Sequence, residues 1–492
     1  MHTTSRRLLS RSIGPARLAR LSIACWIVAS PLVPGLLLTA AMQVDAGRAA
    51  AAEPARKPNL IVILADDIGA AELGCYGHPR HQTPRLDRLA EAGVKFETCF
   101  TPPVCHPTRV MMLTGQYGCH NGVYNFANMR GGPEVEDEGP DDMTNHVTFA
   151  QLLQQAGYTT AMAGKWQLSG RHPTVIRECG FDEYCLWAQR KEYFSAEQFR
   201  AAEAAGIHPR SRYWHPSVVR NGQWVPTTPD DYGPDLYNAF VLDFIRRQRE
   251  RPFAIYYSMC LTHGPFHATP DSTRTPADRA ENSFRKHYAA NVAYVDKLVG
   301  RVIDALDEQG LLEDTIVFFT GDNGTAGNGK SQATELGARV PMIVYGPGRV
   351  LPRGATPRLT DLSDILPTLV ELGGARLPDD RPIDGRSYAS FLSGASDTTR
   401  EWIFAFQGDR RILRTERWLL EDNSPLHYGR LYDCGDARDG RGYRDATESA
   451  EAEAVAARAY FDALLAKLPA PFIPTEGPPN ERKVPRQRAE AR

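Results

Sequence analysis

Three short segments of this chain end in groups that can do chemistry: Asp66-Asp67, Thr262-His263-Gly264-Pro265 and Gly321-Asp322-Asn323-Gly324. Each follows an apolar run that reads as a buried strand, and open parallel sheets gather their ligands at the carboxyl ends of the strands. Taken singly, each segment is also what an ordinary polar turn looks like. Together they can bring three carboxylates and an amide to one point. Two adjacent aspartates repel without a cation, so a metal is their natural partner. An all-oxygen donor set suits a hard cation, calcium or magnesium, better than zinc.

A fourth segment, Cys105-His106-Pro107-Thr108-Arg109 with Leu113-Thr114-Gly115 downstream, offers a nucleophile. Arg109 stands about one helical turn beyond Cys105 if a helix begins there. Alone, this is also compatible with a buried structural cysteine in a proline-rich loop. Here the chain resembles the sulfatase family, whose signature is Cys-x-Pro-Ser/Thr-Arg followed by Leu-Thr-Gly. The likeness runs in order along the chain: Pro58-Asn59 through Asp66-Asp67, Gly164-Lys165-Trp166, Thr262 to Pro265, and Gly321 to Gly324. It continues through the spaced set Lys330, Glu335, Gly337 and Arg339, then Asp384 to Ser387 and Leu431-Tyr432-Asp433.

The resemblance implies that Cys105 is oxidised to formylglycine before or during export, by a formylglycine-generating maturation enzyme. It assigns calcium to Asp66, Asp67, Asp322 and Asn323, with an oxygen of the formylglycine at Cys105. A sulfate ester is anionic, so its pocket needs positive charge; calcium, Lys165 and Lys330 would hold the sulfate oxygens. Arg109 would fix the aldehyde hydrate and pair with a metal-ligand carboxylate. One hydroxyl of the hydrate would attack sulfur, and His263 would protonate the leaving alcohol. The second hydroxyl would then collapse to the aldehyde and eject sulfate, a step that a serine ester has no group to perform. One position departs from the family: Gln167 stands where a histidine usually follows the Gly-Lys-Trp lysine by two residues. Glutamine hydrogen-bonds, within reach of substrate, but takes no proton near neutral pH. On sequence grounds His106 and His172 are possible substitutes.

These residues need a scaffold, and the pattern predicts an α/β fold: a mostly parallel central sheet with helices on both faces. Strands are expected at Asn59–Ala65, 159–163, 253–261, 315–320 and 342–345. Helices are expected at 84–92 (opened by Thr83-Pro84 and stopped by Gly93), at 148–156, over 288–306 and at 363–372. Past about Gly394 the pattern shifts to short antiparallel strands at 402–406, 411–414 and 418–420 and an alanine-rich helix at 450–468. The expected organisation is a signal peptide over 1–52, a catalytic domain over 58–394, a small C-terminal α+β domain over 395–468 and a flexible tail over 469–492.

The chain has 492 residues with 57 basic and 59 acidic side chains, a net charge of −2, and 42% hydrophobic residues. That balance excludes a general nucleic-acid binder and disorder for the bulk of the chain. Arg6, Arg7, Arg11, Arg17 and Arg20, an apolar run over 21–42 and small residues over 49–52 read as a cleaved signal peptide. A retained anchor is the alternative; after cleavage no stable membrane insertion is expected, and the mature protein is expected to be exported, periplasmic or extracellular. The nine cysteines include no Cys-x-x-Cys pair, which argues against a thiolate zinc site.

Two stretches look like insertions. Residues 128–142 are glycine-rich and acidic. Residues 190–224 mix aromatic and basic side chains (Arg190, Lys191, Tyr193, Arg212, Tyr213, Trp214, Arg220, Trp224) and form either a glycan subsite or a loop packed on the core, with Asn221-Gly222 as a hairpin turn. The leading reading is a formylglycine-dependent, calcium-requiring sulfate ester hydrolase acting on a sulfated small molecule or glycan. The alternatives are a phosphonate monoester or phosphodiester hydrolase of the same superfamily, and a sulfoglycan-binding protein that has lost turnover.

Overall fold

The computed structural model describes residues 56–126, 142–170, 174–189, 193–208, 211–248 and 250–470. The expected signal peptide, the loop over 128–141, His172, Arg190, Lys191 and nearly all of the expected tail lie outside them. Ten strands form one large sheet: β1 (Asn59–Ala65), β2 (Val94–Phe100), β3 (Thr159–Gly164), β4 (Glu183–Trp187), β5 (Val218–Arg220), β6 (Gln223–Val225), β7 (Phe253–Ser258), β8 (Thr315–Gly321), β9 (Arg339–Tyr345) and β10 (Gly354–Asp361). Their order is β10-β2-β9-β8-β1-β7-β3-β4-β5-β6. The stretch β8-β1-β7-β3-β4 is parallel throughout, as expected. β9 runs antiparallel to both neighbours, β8 and β2.

The parallel strands are buried on both faces, which is why β1 reads as an unbroken apolar run. Ile61, Ile63 and Ala65 face one layer with Val292, Val295, Val299 and Val302 of the helix Phe284–Glu308. Leu60, Val62 and Leu64 face the other, with Met111, Leu113, Leu366 and Leu369. A second sheet of five antiparallel strands, β11 (Ile403–Gln407), β12 (Arg410–Arg414), β13 (Trp418–Asn423), β14 (Arg430–Asp433) and β15 (Arg444–Asp445), carries the helix Ala452–Leu465 beside it.

Several boundaries differ from expectation. β7 ends at Ser258, not Leu261: Met259, Cys260 and Leu261 are buried, but as a loop beyond the carboxyl end of the strand. The strand expected at 342–345 begins at Arg339. The segment 190–224 holds the helix Ala196–Ala204 and the β5–β6 edge hairpin. Asn221 (φ 50°) and Gly222 (φ 81°) make its left-handed turn, the hairpin chemistry their sequence suggests.

Candidate active site

The carboxyl ends of adjacent strands deliver the chemistry, and backbone hydrogen bonds continue past them to hold the loops in register. Asp66 N–H donates to Leu261 O at 2.7 Å, Asp322 N–H to Ala65 O at 3.0 Å and Lys165 N–H to Ser258 O at 2.7 Å. Gly164 makes the last of these possible. Its φ is +93°, and a Cβ there would lie 1.9 Å from Ser258 O, so no other residue lets β3 turn into Lys165.

Asp66, Asp67, Asp322 and Asn323 are fully buried and joined by side chains from four segments. Lys165 Nζ donates to both Asp66 oxygens at 2.8 Å. Arg109 Nη2 donates to Asp322 Oδ2 at 2.7 Å and lies 3.6 Å from Asp66. Asp67 N–H donates to Asp322 Oδ1 at 2.9 Å, and Asn323 Nδ2 to Asp67 Oδ1 at 2.8 Å. Lys330 Nζ donates to Asp67 Oδ2 at 2.8 Å. His263 Nε2 lies 3.8 Å from Asp67, while its Nδ1 contacts Gly264 O at 2.7 Å. Lys165 is 1% exposed, so it is no surface lysine.

Cys105 opens the helix Cys105–Thr114 and is 3% exposed. Pro107 falls in the first turn, where its missing N–H costs nothing. The Thr108 hydroxyl donates to Pro102 O and Val104 O and fixes the approach to Cys105. Arg109 follows one turn later, and the Cys105 sulfur is near enough to act electrostatically on both Arg109 and Lys330. The loop carrying Lys330 is tied to the same place, with Ser331 N–H donating to Pro103 O at 2.7 Å. The rest of that spaced set is structural. Glu335 meets buried Arg414 of β12 at 3.2 Å and Arg339 Nε donates to Glu97 O. Asp384 and Asp433 likewise bind their surroundings, at Tyr117 N–H and at Arg417.

The charges strongly perturb one another. Burial opposes ionisation of Asp66, but Lys165 first, then His263, Arg109 and Lys330, outweigh it and hold that carboxyl far below the usual range. Burial and the Asp66 charge push Asp322 up to about 7, against Arg109 and Lys165. Burial pushes His263 down to about 4, against the pull of Asp66. Because the folded value of His263 lies below its ordinary 6.5, folding favours the neutral ring. That stability is whole above the ordinary value and is lost as pH falls to the folded one. Urea unfolding of His263→Asn in chelator is therefore expected to show a smaller stability loss than the native chain between pH 6.5 and about 4.

The donor set fits a hard cation. Three buried carboxylates converge, and Asn323 Oδ1 is buried with no hydrogen-bond partner among the described residues. Asp66, Asp67 and His263 place ligand atoms within 4.8 Å of one another. Asp67 adopts φ 59°, and Gln167 φ 65°, left-handed conformations that ordinary side chains hold only under constraint.

The Sulfatase family model matches residues 58–375. The chain belongs to the sulfatase family. N-acetylgalactosamine-6-sulfatase of Canis lupus familiaris is 32% identical over 388 residues, covering 74% of this chain and 71% of that protein. Arylsulfatase A of Homo sapiens is 31% identical over 382 residues, covering 72% and 71%. Among solved structures, Ps i-CgsB in complex with k-i-k-neocarrahexaose has a TM-score of 0.68 at 24% identity, covering 83% of this chain and 93% of that one, a likeness of fold. The activity of this sulfatase is hydrolysis of sulfuric esters.

Sequence reasoning missed two supports of the sulfatase site. Ser258 accepts from Arg109 and donates to Lys165 O at 2.7 Å, joining the guanidinium to the Lys165 backbone. The Thr262 hydroxyl donates to the carbonyls of Asp66 and Asp67. Arg212, named in the sequence reading of 190–224, lies close enough to His263 for its charge to act on that ring. Of the two substitutes for the family histidine, His106 is buried and packs edge-on against Phe126, ring centroids 5.4 Å apart.

Proposed function

We propose that this sulfatase uses a formylglycine made from Cys105 and a bound calcium to release sulfate from sulfated carbohydrates. The observation that carries the reading is the single continuous network of Asp66, Asp67, Asp322, Asn323, Arg109, Lys165 and Lys330 beside the buried first turn of Cys105–Thr114. Asp66, Asp67, Asp322 and Asn323 would hold the cation, supplying Lewis acidity toward the sulfate, while the hydrated aldehyde at 105 supplies the attacking hydroxyl. Arg109 orients Asp322 and draws the start of its own helix into the site. Lys165 and Lys330 carry the positive charge that a sulfate ester requires. His263, partly open to solvent, would give a proton to the departing alcohol oxygen, a role that burial opposes and the Asp66 and Asp67 charges favour. Gln167, buried two residues past Lys165, would orient by hydrogen bonding and transfer no proton. The carbohydrate substrate follows the activity named for the N-acetylgalactosamine-6-sulfatase relative.

Export accompanies this reading, since a maturation enzyme would meet the chain on its way out and the N-terminus has the pattern of a signal. No described helix is long and apolar enough to cross a membrane.

The test is inorganic sulfate released from a panel of sulfated sugars and an aryl sulfate, by protein co-produced with a formylglycine-generating enzyme. Release is expected from at least one sulfated sugar. No release, with formylglycine verified at 105 by mass spectrometry, rejects the sulfated-sugar reading and turns the search to phosphonate esters. Chelation supplies a separate check. EGTA is expected to lower both Tm and turnover, the latter about a hundredfold or more, and calcium to restore both. Full activity in chelator would remove the cation from the mechanism.

A further inference from the structure

Three of the buried arginines among the described residues face carboxylates, and half-buried Arg212, near the site, does not. Arg109 meets Asp322, Arg400 meets Asp361 and Arg414 meets Glu335. Arg212 forms no ion pair among the described residues, and its buried Nε and Nη1 have no hydrogen-bond partner among them. Instead the guanidinium carbon lies over Trp187, 4.0 Å from the ring centroid. A half-buried cation left in this state is costly unless something arrives to pair with it.

Its position says what arrives. β3 and β4 run parallel with Gly164 opposite Leu186, so Lys165 and Trp187 emerge side by side at the same carboxyl rim. The neighbour of Arg212, Tyr213, donates its hydroxyl to the carbonyls of His263 and Cys260 and ties the two loops together. Trp214 Nε1 donates to Ala268 O at 2.8 Å, anchoring the same loop further along. The charge of Arg212 reaches His263, where it opposes protonation. Tyr213, 3% exposed, and Trp214, with Arg279 over its ring, are spent on packing. Arg212 is left with two donors, Nε and Nη1, unmet among the described residues.

We propose that Arg212, laid on Trp187, binds a second oxyanion of the substrate, so that the protein prefers sulfated sugars carrying a further sulfate or carboxylate near the scissile ester. This rests on the sulfatase reading above and names its substrate class. A guanidinium held against an aromatic ring is restricted in its motion, and its planar fork of donors matches sulfate or carboxylate through two parallel hydrogen bonds.

The experiment compares native protein, Arg212→Gln and Arg212→Lys on four substrates: an aryl sulfate, a monosulfated hexose, a disulfated hexose and a sulfated disaccharide bearing a uronic acid. The ratio of kcat/KM for a doubly anionic substrate to that for the aryl sulfate is expected to fall about tenfold or more in Arg212→Gln, chiefly through KM, and less in Arg212→Lys. Whether the ratio falls for the disulfated or the uronic substrate identifies the second oxyanion. An unchanged ratio for both overturns the proposal. Melting curves without ligand separate this from a structural role: loss of an unpaired cation is expected to leave Tm unchanged or raised, whereas a drop would mark Arg212 as a packing residue and count against the subsite. Should the native protein release no sulfate at all, the hydrolase reading fails by itself. Calorimetric titration of the disulfated hexose into Cys105→Ala, with and without Arg212→Gln, then decides the subsite: equal affinities overturn it, and a loss of about tenfold or more supports it.

Discussion

Cys105→Ala is expected to lower kcat on the best sulfated sugar by about four orders of magnitude or more, the scale seen when a covalent nucleophile is deleted. No neighbouring group can take its place. The buried side chains around it are Arg109, Lys330 and carboxylates already committed to each other. Cys105→Ser retains a hydroxyl but not a geminal pair, so it is expected to accept sulfate at most once and then stall. Thermal stability should hardly change in either variant, since a thiol-sized atom in the first turn of a helix contributes little packing. Sulfate release is measured alongside the mass of the 105-containing peptide. An alanine variant keeping more than a few per cent of native turnover, on the same substrate and free of contaminating enzyme, would remove Cys105 from the chemistry.

Arg109→Met is expected to cost about 3–5 kcal/mol of folding stability, the penalty for taking one partner from a buried ion pair. The loss arises because Asp322, already pushed up to about 7 by burial and by Asp66, would face that charge without its own guanidinium. Methionine fills much of the space, which separates the electrostatic cost from a cavity cost. Arg109→Lys is expected to recover part of the loss only, because one ammonium cannot meet Asp322, Ser258 and the Lys165 carbonyl in the plane the guanidinium spans. Urea unfolding at pH 7 measures both. Added calcium should stabilise the methionine variant as well as the native chain if the four oxygen ligands remain assembled. A methionine variant as stable as the native protein would show that Asp322 is held neutral and that the pair contributes nothing.

Where strong local signals agree with burial, the fold was legible in the chain. β1 matched its apolar run end to end, and the helix Pro84–Ala92 begins after Thr83 and stops at Gly93 as read. One strand passed over has a composition that competes with its position. β10 contains Pro357, tolerable because the strand lies at the sheet edge and its register slips there. The helix Gly233–Arg247 opens on Gly-Pro, which reads as a turn, although proline at a first turn is compatible with a helix. In the site, the charged residues were legible because they sit in short motifs at strand ends. Ser258 and Thr262 were not, because a hydroxyl's role is fixed by partners 93 to 196 residues away in the chain. The packing of Tyr213 and Trp214, and the unmet donors of Arg212, likewise depend on loops brought together only by folding.

The contact between Glu335 and Arg414 has a bearing on how such a protein can be cut or recombined. Lys330 reaches the site from a loop whose far end is held by the small sheet: Glu335 takes Arg414 from β12, and its backbone N–H donates to Glu421 of β13. A fragment ending near 394 would keep every motif at the strand ends, yet leave Glu335 buried without its cation and Lys330 without its tether. Exchanging the C-terminal sheet between relatives would require exchanging this charge pair with it. Lys330 and the second sheet are therefore inherited as one unit, and shuffling experiments should place their crossovers before Gly324 or beyond Asp433.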